Sequence, residues 1–178
     1  MRLVTLDRLN SALDDVIRDF RHFGIWNDKL YAVDVYLVPV GYAYGWKWNG
    51  PAGHISIPAV SLSRLGSAMF GIGQKWGLRD VVRHEYGHAV ADLYPNLSRT
   101  SSFRWTFGRY DHGKRLRAYA PEHHVTPYAS TRPCEDFAEV FMFYIKTRGK
   151  LPSRFDTRII RSKWDFVSRY VKSIARSG

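Results

Sequence analysis

The sequence predicts an α+β fold, with a small mixed or antiparallel sheet preceded by a helix, a long central helix, and a mainly helical C-terminal half. Three observations carry that prediction. Apolar residues recur at helical spacing near the start and again beyond residue 78, period-two runs are confined to residues 31–60, and helical spacing returns after Pro133. Leu6, Leu9, Leu13, Val16, Ile17 and Phe20 make 5–23 an amphipathic helix. Residues 31–40, β-branched and aromatic and closing at Pro39, read as a strand. Tyr42, Tyr44, Trp46 and Trp48 then alternate with Ala43, Gly45 and Lys47 and lead into Asn49-Gly50, a hairpin turn signal. Residues 54–60 return as the next strand, with Ile55 and Ile57 on one face. The aromatic alternation serves either to grip a ligand or to pack on a core, the commoner use.

From about Leu78, Val82, Tyr86, Ala89, Val90 and Leu93 form one stripe, while Val81, His84, Glu85, His88 and Asp92 form another. Such a helix has one face on a core and one on a cleft, and Pro95 stops it. Residues 96–132 are aromatic, basic and poorly periodic, which predicts a long excursion with short helical pieces. Pro133 suits the first turn of a helix reaching about Thr147, with Phe137, Val140, Phe141 and Tyr144 inward. A last helix spans about 161–175, with Trp164, Val167, Val171 and Ile174 buried. The whole chain, 1–178, reads as one domain: a sheet-containing part to about 77, the motif helix over 78–94, and a helical part from 95.

Composition narrows the class. An apolar content of 45% indicates a globular chain, and no apolar run approaches the ~20 residues of a membrane span. Asp7, Asp14, Asp15 and Asp19 are unlike a secretory signal, and a lone Cys134 gives no disulfide framework. Both lead to the expectation of a cytoplasmic protein, with export lacking a cleaved signal also compatible. Cys134 reads as a small buried filler. The net charge of +11 comes largely from Lys114-Arg115-Leu116-Arg117 and from the segments 146–154 and 158–176. It is compatible with an acidic protein or peptide partner, with nucleic acid, or with a solvated basic face. No zinc finger, RNA-binding aromatic signature or phosphate loop accompanies it, so nucleic acid is not the expected partner.

The chemistry lies in His84-Glu85-Tyr86-Gly87-His88. Two imidazoles four apart on a helix face one way and can meet on one Zn²⁺, while Glu85 beside them can reach a water without ligating. A catalytic zinc needs a third protein ligand. A histidine six residues on is excluded, because Ala91 and Tyr94 occupy the places of the extended motif. A carboxylate from a following helix is left, and Glu135 is the preferred one, with Asp136 or Glu139 as alternatives. Glu139, or Asp92 on the first helix, is then placed to hold a ligating imidazole by its other nitrogen. Gly87, costly in a helix interior, implies a close approach by another segment.

The stretch 84–92, together with Tyr128 seven residues before Glu135-Asp136-Phe137-Ala138-Glu139, resembles the catalytic domains of the anthrax lethal factor family, zincin-fold peptidases of the gluzincin type. The likeness covers about residues 78–145. It implies a zincin-like fold, one catalytic zinc on His84, His88 and Glu135, Glu85 as general base, and Tyr128 as donor to the tetrahedral intermediate. It also implies a zinc endopeptidase acting on a protein substrate, as a compact effector or toxin-like protease. Such enzymes bind substrate along a strand edge, for which His54, Ile55, Ser56 and Ile57 are the candidates. His123 and His124 lie near Tyr128 and read as solvent-exposed or structurally bonded. Two other readings remain: a cytoplasmic peptidase that cleaves a repressor, and a basic nucleic-acid-binding module with structural zinc.

Overall fold

The computed structural model of the chain describes residues 2–49, 52–70, 76–110 and 119–177. The basic run 114–117 and the turn residue Gly50 lie outside them. In order come α1 (Leu6–His22), α2 (Asp28–Tyr31), β1 (Asp34–Val38), β2 (Gly45–Asn49), β3 (Ala52–Pro58), α3 (Leu62–Phe70), α4 (Leu78–Leu93), α5 (Pro95–Ser98), α6 (Ser101–Phe107), α7 (Pro133–Lys146) and α8 (Arg158–Ser177). The architecture is α+β, with a three-stranded mixed sheet of order β1-β3-β2.

β3 is the central strand. It runs parallel to β1, with Ile55 opposite Val35, and antiparallel to β2, with Ile55 opposite Trp46. This corrects the edge expected at His54, Ile55, Ser56 and Ile57. His54, Ile55 and Ser56 have a neighbour on both sides, so an incoming chain cannot add along them. The edge strand that lines the cavity is β2, through Gly45 and Trp46. A second correction concerns residues 31–33: Asp28–Tyr31 forms one helical turn and the strand begins at Asp34. The β-branched run did not extend far enough back to prevent it. α3 had no counterpart in the predicted elements.

The sheet and α1 lie against α4, which packs on α7, which packs on α8. Residues 81–91 of α4 and 133–145 of α7 are all buried, so each helix is enclosed on every side. That explains the two stripes read on α4: one meets Phe20 of α1 through Tyr86, whose rings lie edge to face at 5.3 Å, and the other meets α7. Phe103, Phe137, Phe141 and Tyr170 continue the core toward α6 and α8. Among the described residues no helix is long and apolar enough to cross a membrane.

Candidate metal centre

α4 and α7 touch at Gly87 and Ala138. A Cβ added at Gly87 would lie 3.0 Å from Ala138 Cα and 3.3 Å from its carbonyl oxygen, so close that any larger residue would push the two helices apart by a few tenths of an ångström. His84 and His88 flank Gly87, three residues before and one after, and Glu135 and Glu139 flank Ala138 in the same way. One backbone contact therefore sets how near the imidazoles come to the carboxylates.

Three donor atoms converge there. His84 Nε2 lies 3.1 Å from His88 Nε2 and 3.1 Å from Glu135 Oε2, and His88 Nε2 lies 3.0 Å from the same oxygen. Hydrogen bonds serve such a triangle poorly, because each N–H points along one line and cannot align with two partners. One ion at the centre serves it well. Tetrahedral ligands at ~2.0–2.1 Å from zinc stand about 3.3 Å apart, a few tenths of an ångström wider than these. His84, His88 and Glu135 are also the one group of ligating side chains among the described residues able to hold a metal ion. All three are buried.

The neighbouring acids do other work. Asp136 meets Lys163 Nζ at 2.5 Å and His124 Nδ1 at 3.3 Å, a buried pair that faces α8 and not the triangle. Lys163 also donates to the His123 carbonyl at 2.6 Å, so both histidines belong to the anchor of the loop before Tyr128. Glu139 Oε2 accepts from Thr126 Oγ1 at 2.6 Å, and Thr126 in turn accepts from the Ala129 amide. Glu139 Oε1 lies 3.9 Å from His84 Nδ1, beyond hydrogen-bond reach, and neither atom has another hydrogen-bond partner among the described residues. Asp92 accepts from Trp46 Nε1 at 2.8 Å, while His88 Nδ1 has no hydrogen-bond partner there. Cys134 is buried beside Glu135.

Glu85 is buried next to the triangle, and its Oε2 accepts from the Trp46 amide at 2.7 Å. Gly45, at φ +95, makes room for that carboxylate: a Cβ there would stand 3.2 Å from Oε2. Burial raises the Glu85 pKa, while the two imidazoles and the Trp46 amide pull it back. Burial pushes His88 down, but the charge and hydrogen bond of Glu135 outweigh it and lift the imidazole to about 9. Burial opposes ionisation of Glu135, yet His88 and the bonds from both imidazoles hold it well below the usual carboxylate range. Glu139 is raised by burial and by its acidic neighbours. Burial, then the charges of Glu135 and Glu85, raise Tyr128, whose hydroxyl stays a donor at any working pH.

These groups share one cavity of about 250 Å³, to which Glu85, Tyr128 and the triangle all contribute, with Trp46, Met69 and Phe70 as apolar wall. The Phe70 ring meets His84 at 4.7 Å and Tyr128 at 5.0 Å, both edge-on. A larger groove, about 970 Å³, runs past Trp26 and Tyr94 and includes none of these groups, so its size does not bear on the chemistry. The structure thus brings together His84, Glu85, His88, Tyr128 and Glu135, with Glu139 directly behind. His54, Ile55, Ser56 and Ile57 do not line the cavity. Trp46, Thr126, Phe70 and Arg132 are additions. Of these only Trp46 left a trace in the sequence, through Gly53, whose lack of a Cβ leaves room for the indole ring.

No protein-family model, curated protein or solved structure matches the chain. The functional reading therefore rests on the site.

Proposed function

We propose that this chain is a zinc-dependent endopeptidase with a zincin-like arrangement, its ion held by His84, His88 and Glu135. The observation that carries the reading is the convergence of those three donors at 3.0–3.1 Å in a cavity that also holds Glu85. A structural zinc site closes its fourth position with another protein ligand. Here the neighbouring acids Asp136 and Asp92 are committed elsewhere, and Glu85 is tied to a backbone amide.

Zinc held by these donors supplies Lewis acidity toward a carbonyl and acidity to water. Glu85 takes the proton from the attacking water and returns it to the leaving amine. Burial raises its pKa above the ordinary carboxylate value, which makes it a better proton acceptor. The Trp46 amide fixes one carboxylate oxygen and leaves the other for proton transfer. Tyr128 donates to the carbonyl oxygen as charge develops on it. Phe70 and Trp46 limit water around the reacting atoms.

Metal analysis combined with a peptide-library digest tests this. Wild type is expected to carry about one zinc per chain and to cut peptides, and Glu85→Gln to keep the metal and lose turnover. Tyr128→Phe should lower kcat by roughly 10²-fold with little change in KM. Full activity in Glu85→Gln would remove the mechanism. Salt-sensitive DNA binding by a protein that cuts nothing would favour the basic nucleic-acid module instead.

A further inference from the structure

We infer that Arg132 selects substrates carrying a carboxylate close to the bond that is cut. This rests on the endopeptidase reading and adds to it a substrate class. Arg132 lines the same cavity as His84, Glu85, His88, Tyr128 and Glu135, and it is the one lysine or arginine among the described residues that does. It is solvent-exposed, so a ligand can reach it.

Nothing within the cavity neutralises it. Glu135, three residues on, is bonded by both imidazoles, and Glu85 by the Trp46 amide. Arg132 forms no ion pair among the described residues, whereas Arg83, Lys146 and Lys163 each have an aspartate.

The position also argues against a purely structural role. Arg132 is the residue before α7 and makes no side-chain cap bond. A cation at a helix N-terminus opposes the helix dipole, so α7 itself gains nothing from this charge. An anion bound there would be favoured by the guanidinium and the dipole together. The anchor is rigid: Arg132 is extended (φ −155, ψ 151), is followed by Pro133, and accepts a bond from the Asp136 amide at 2.9 Å. A guanidinium on such a base presents a planar fork that matches a carboxylate with two parallel hydrogen bonds. The carboxylate can be an Asp or Glu side chain of the substrate, or its free C-terminus.

The test uses the zinc-loaded full chain and fluorescein-labelled peptides built on a cleaved library sequence or, where nothing is cleaved, on one fixed library sequence. Each set compares Asp with Asn, Glu with Gln, and a free with an amidated C-terminus. Wild type should prefer the carboxylate member, and Arg132→Ala should lose roughly 10–100-fold in kcat/KM on it while changing little on the amide. Arg132→Lys should recover part of the preference, and Arg132→Glu should invert it toward Lys-containing peptides. Preference that survives C-terminal amidation assigns the side chain, and preference lost on amidation assigns the terminus. In parallel, anisotropy with Glu85→Gln and Glu85→Gln/Arg132→Ala measures binding without turnover. Cleavage indifferent to the carboxylate overturns the Arg132 assignment and leaves the peptidase standing. Absence of all cleavage overturns the peptidase, and the binding arm then still decides Arg132: equal affinity for both members of each pair overturns it.

Discussion

His88 shows how a single residue links the site to pH. In the metal-free protein it shares Glu135 with His84, and its imidazole is lifted to about 9. Below that pH the ring holds a proton that an incoming metal must displace, because ligation needs the neutral imidazole. Zinc uptake at pH 7 is therefore expected to release about one proton from this residue, and the release should fade as pH rises through about 9. Apparent affinity should strengthen over the same range. Calorimetry of zinc binding in buffers of differing ionisation enthalpy reads the proton count, and a count of zero at pH 7 would show that His88 is already neutral. His84, Glu85 and His88 were legible from the sequence because one short helical motif contains all three. Glu135 needed only the search for a carboxylate on a later helix. Arg132 and Phe70 were not legible, since nothing in their local sequence distinguishes a cavity wall from a solvated or packed surface.

Between elements, the contact of α4 with α7 decides whether the donors meet. Gly87 predicts a close approach from sequence alone, and its partner is Ala138, at the same offset from Glu135 and Glu139 as Gly87 is from the histidines. Gly87→Ala adds a methyl 3.0 Å from the Ala138 Cα. Its helical propensity gains about 0.8–1.0 kcal/mol, and overpacking costs about 1–3 kcal/mol, so net stability falls slightly. The larger effect is on the triangle, because spreading the helices by a few tenths of an ångström moves Glu135 from both imidazoles at once. Chelator competition should show weaker zinc binding in Gly87→Ala and weaker still in Gly87→Val. Unchanged affinity in both variants would mean that the helix spacing is set elsewhere. The sheet was the least legible part. Alternation identified β2 and β3, but nothing in a period-two pattern says which strand is central, so the expected substrate edge fell on β3. The four-residue α2 escaped because one turn is too short to show a period and is fixed by packing through Leu30, whereas Leu62, Leu65 and Met69 of α3 do recur at helical spacing and were open to being read.

For the whole molecule, the question is whether the metal holds the fold or the fold holds the metal. Phe20, Val82, Tyr86, Val90, Phe137, Phe141, Val167 and Ile174 form one continuous apolar body through α1, α4, α7 and α8. The three donors sit at one side of it, 3.0–3.1 Å from one another. A buried Lys163–Asp136 pair and the Thr126–Glu139 bond fix the loop that carries Tyr128 independently of zinc. Removal of one partner of such a buried pair is far more damaging than loss of a surface pair. On the proposed function, zinc is therefore expected to act as a ligand of a fold that stands on its own core. Saturation at a thousandfold over Kd stabilises the native state by about 4.1 kcal/mol. At roughly 2–4 °C per kcal/mol for a chain of this size, that is on the order of 10 °C in Tm. Chelation is expected to lower Tm by about that amount, with the far-ultraviolet dichroism at 25 °C and the cooperativity of melting retained. Readdition of zinc should restore both Tm and peptide cleavage. If chelation at 25 °C instead abolishes the helical signal, the ion is structural, as in small zinc modules, and the open-site hydrolase reading loses its physical basis.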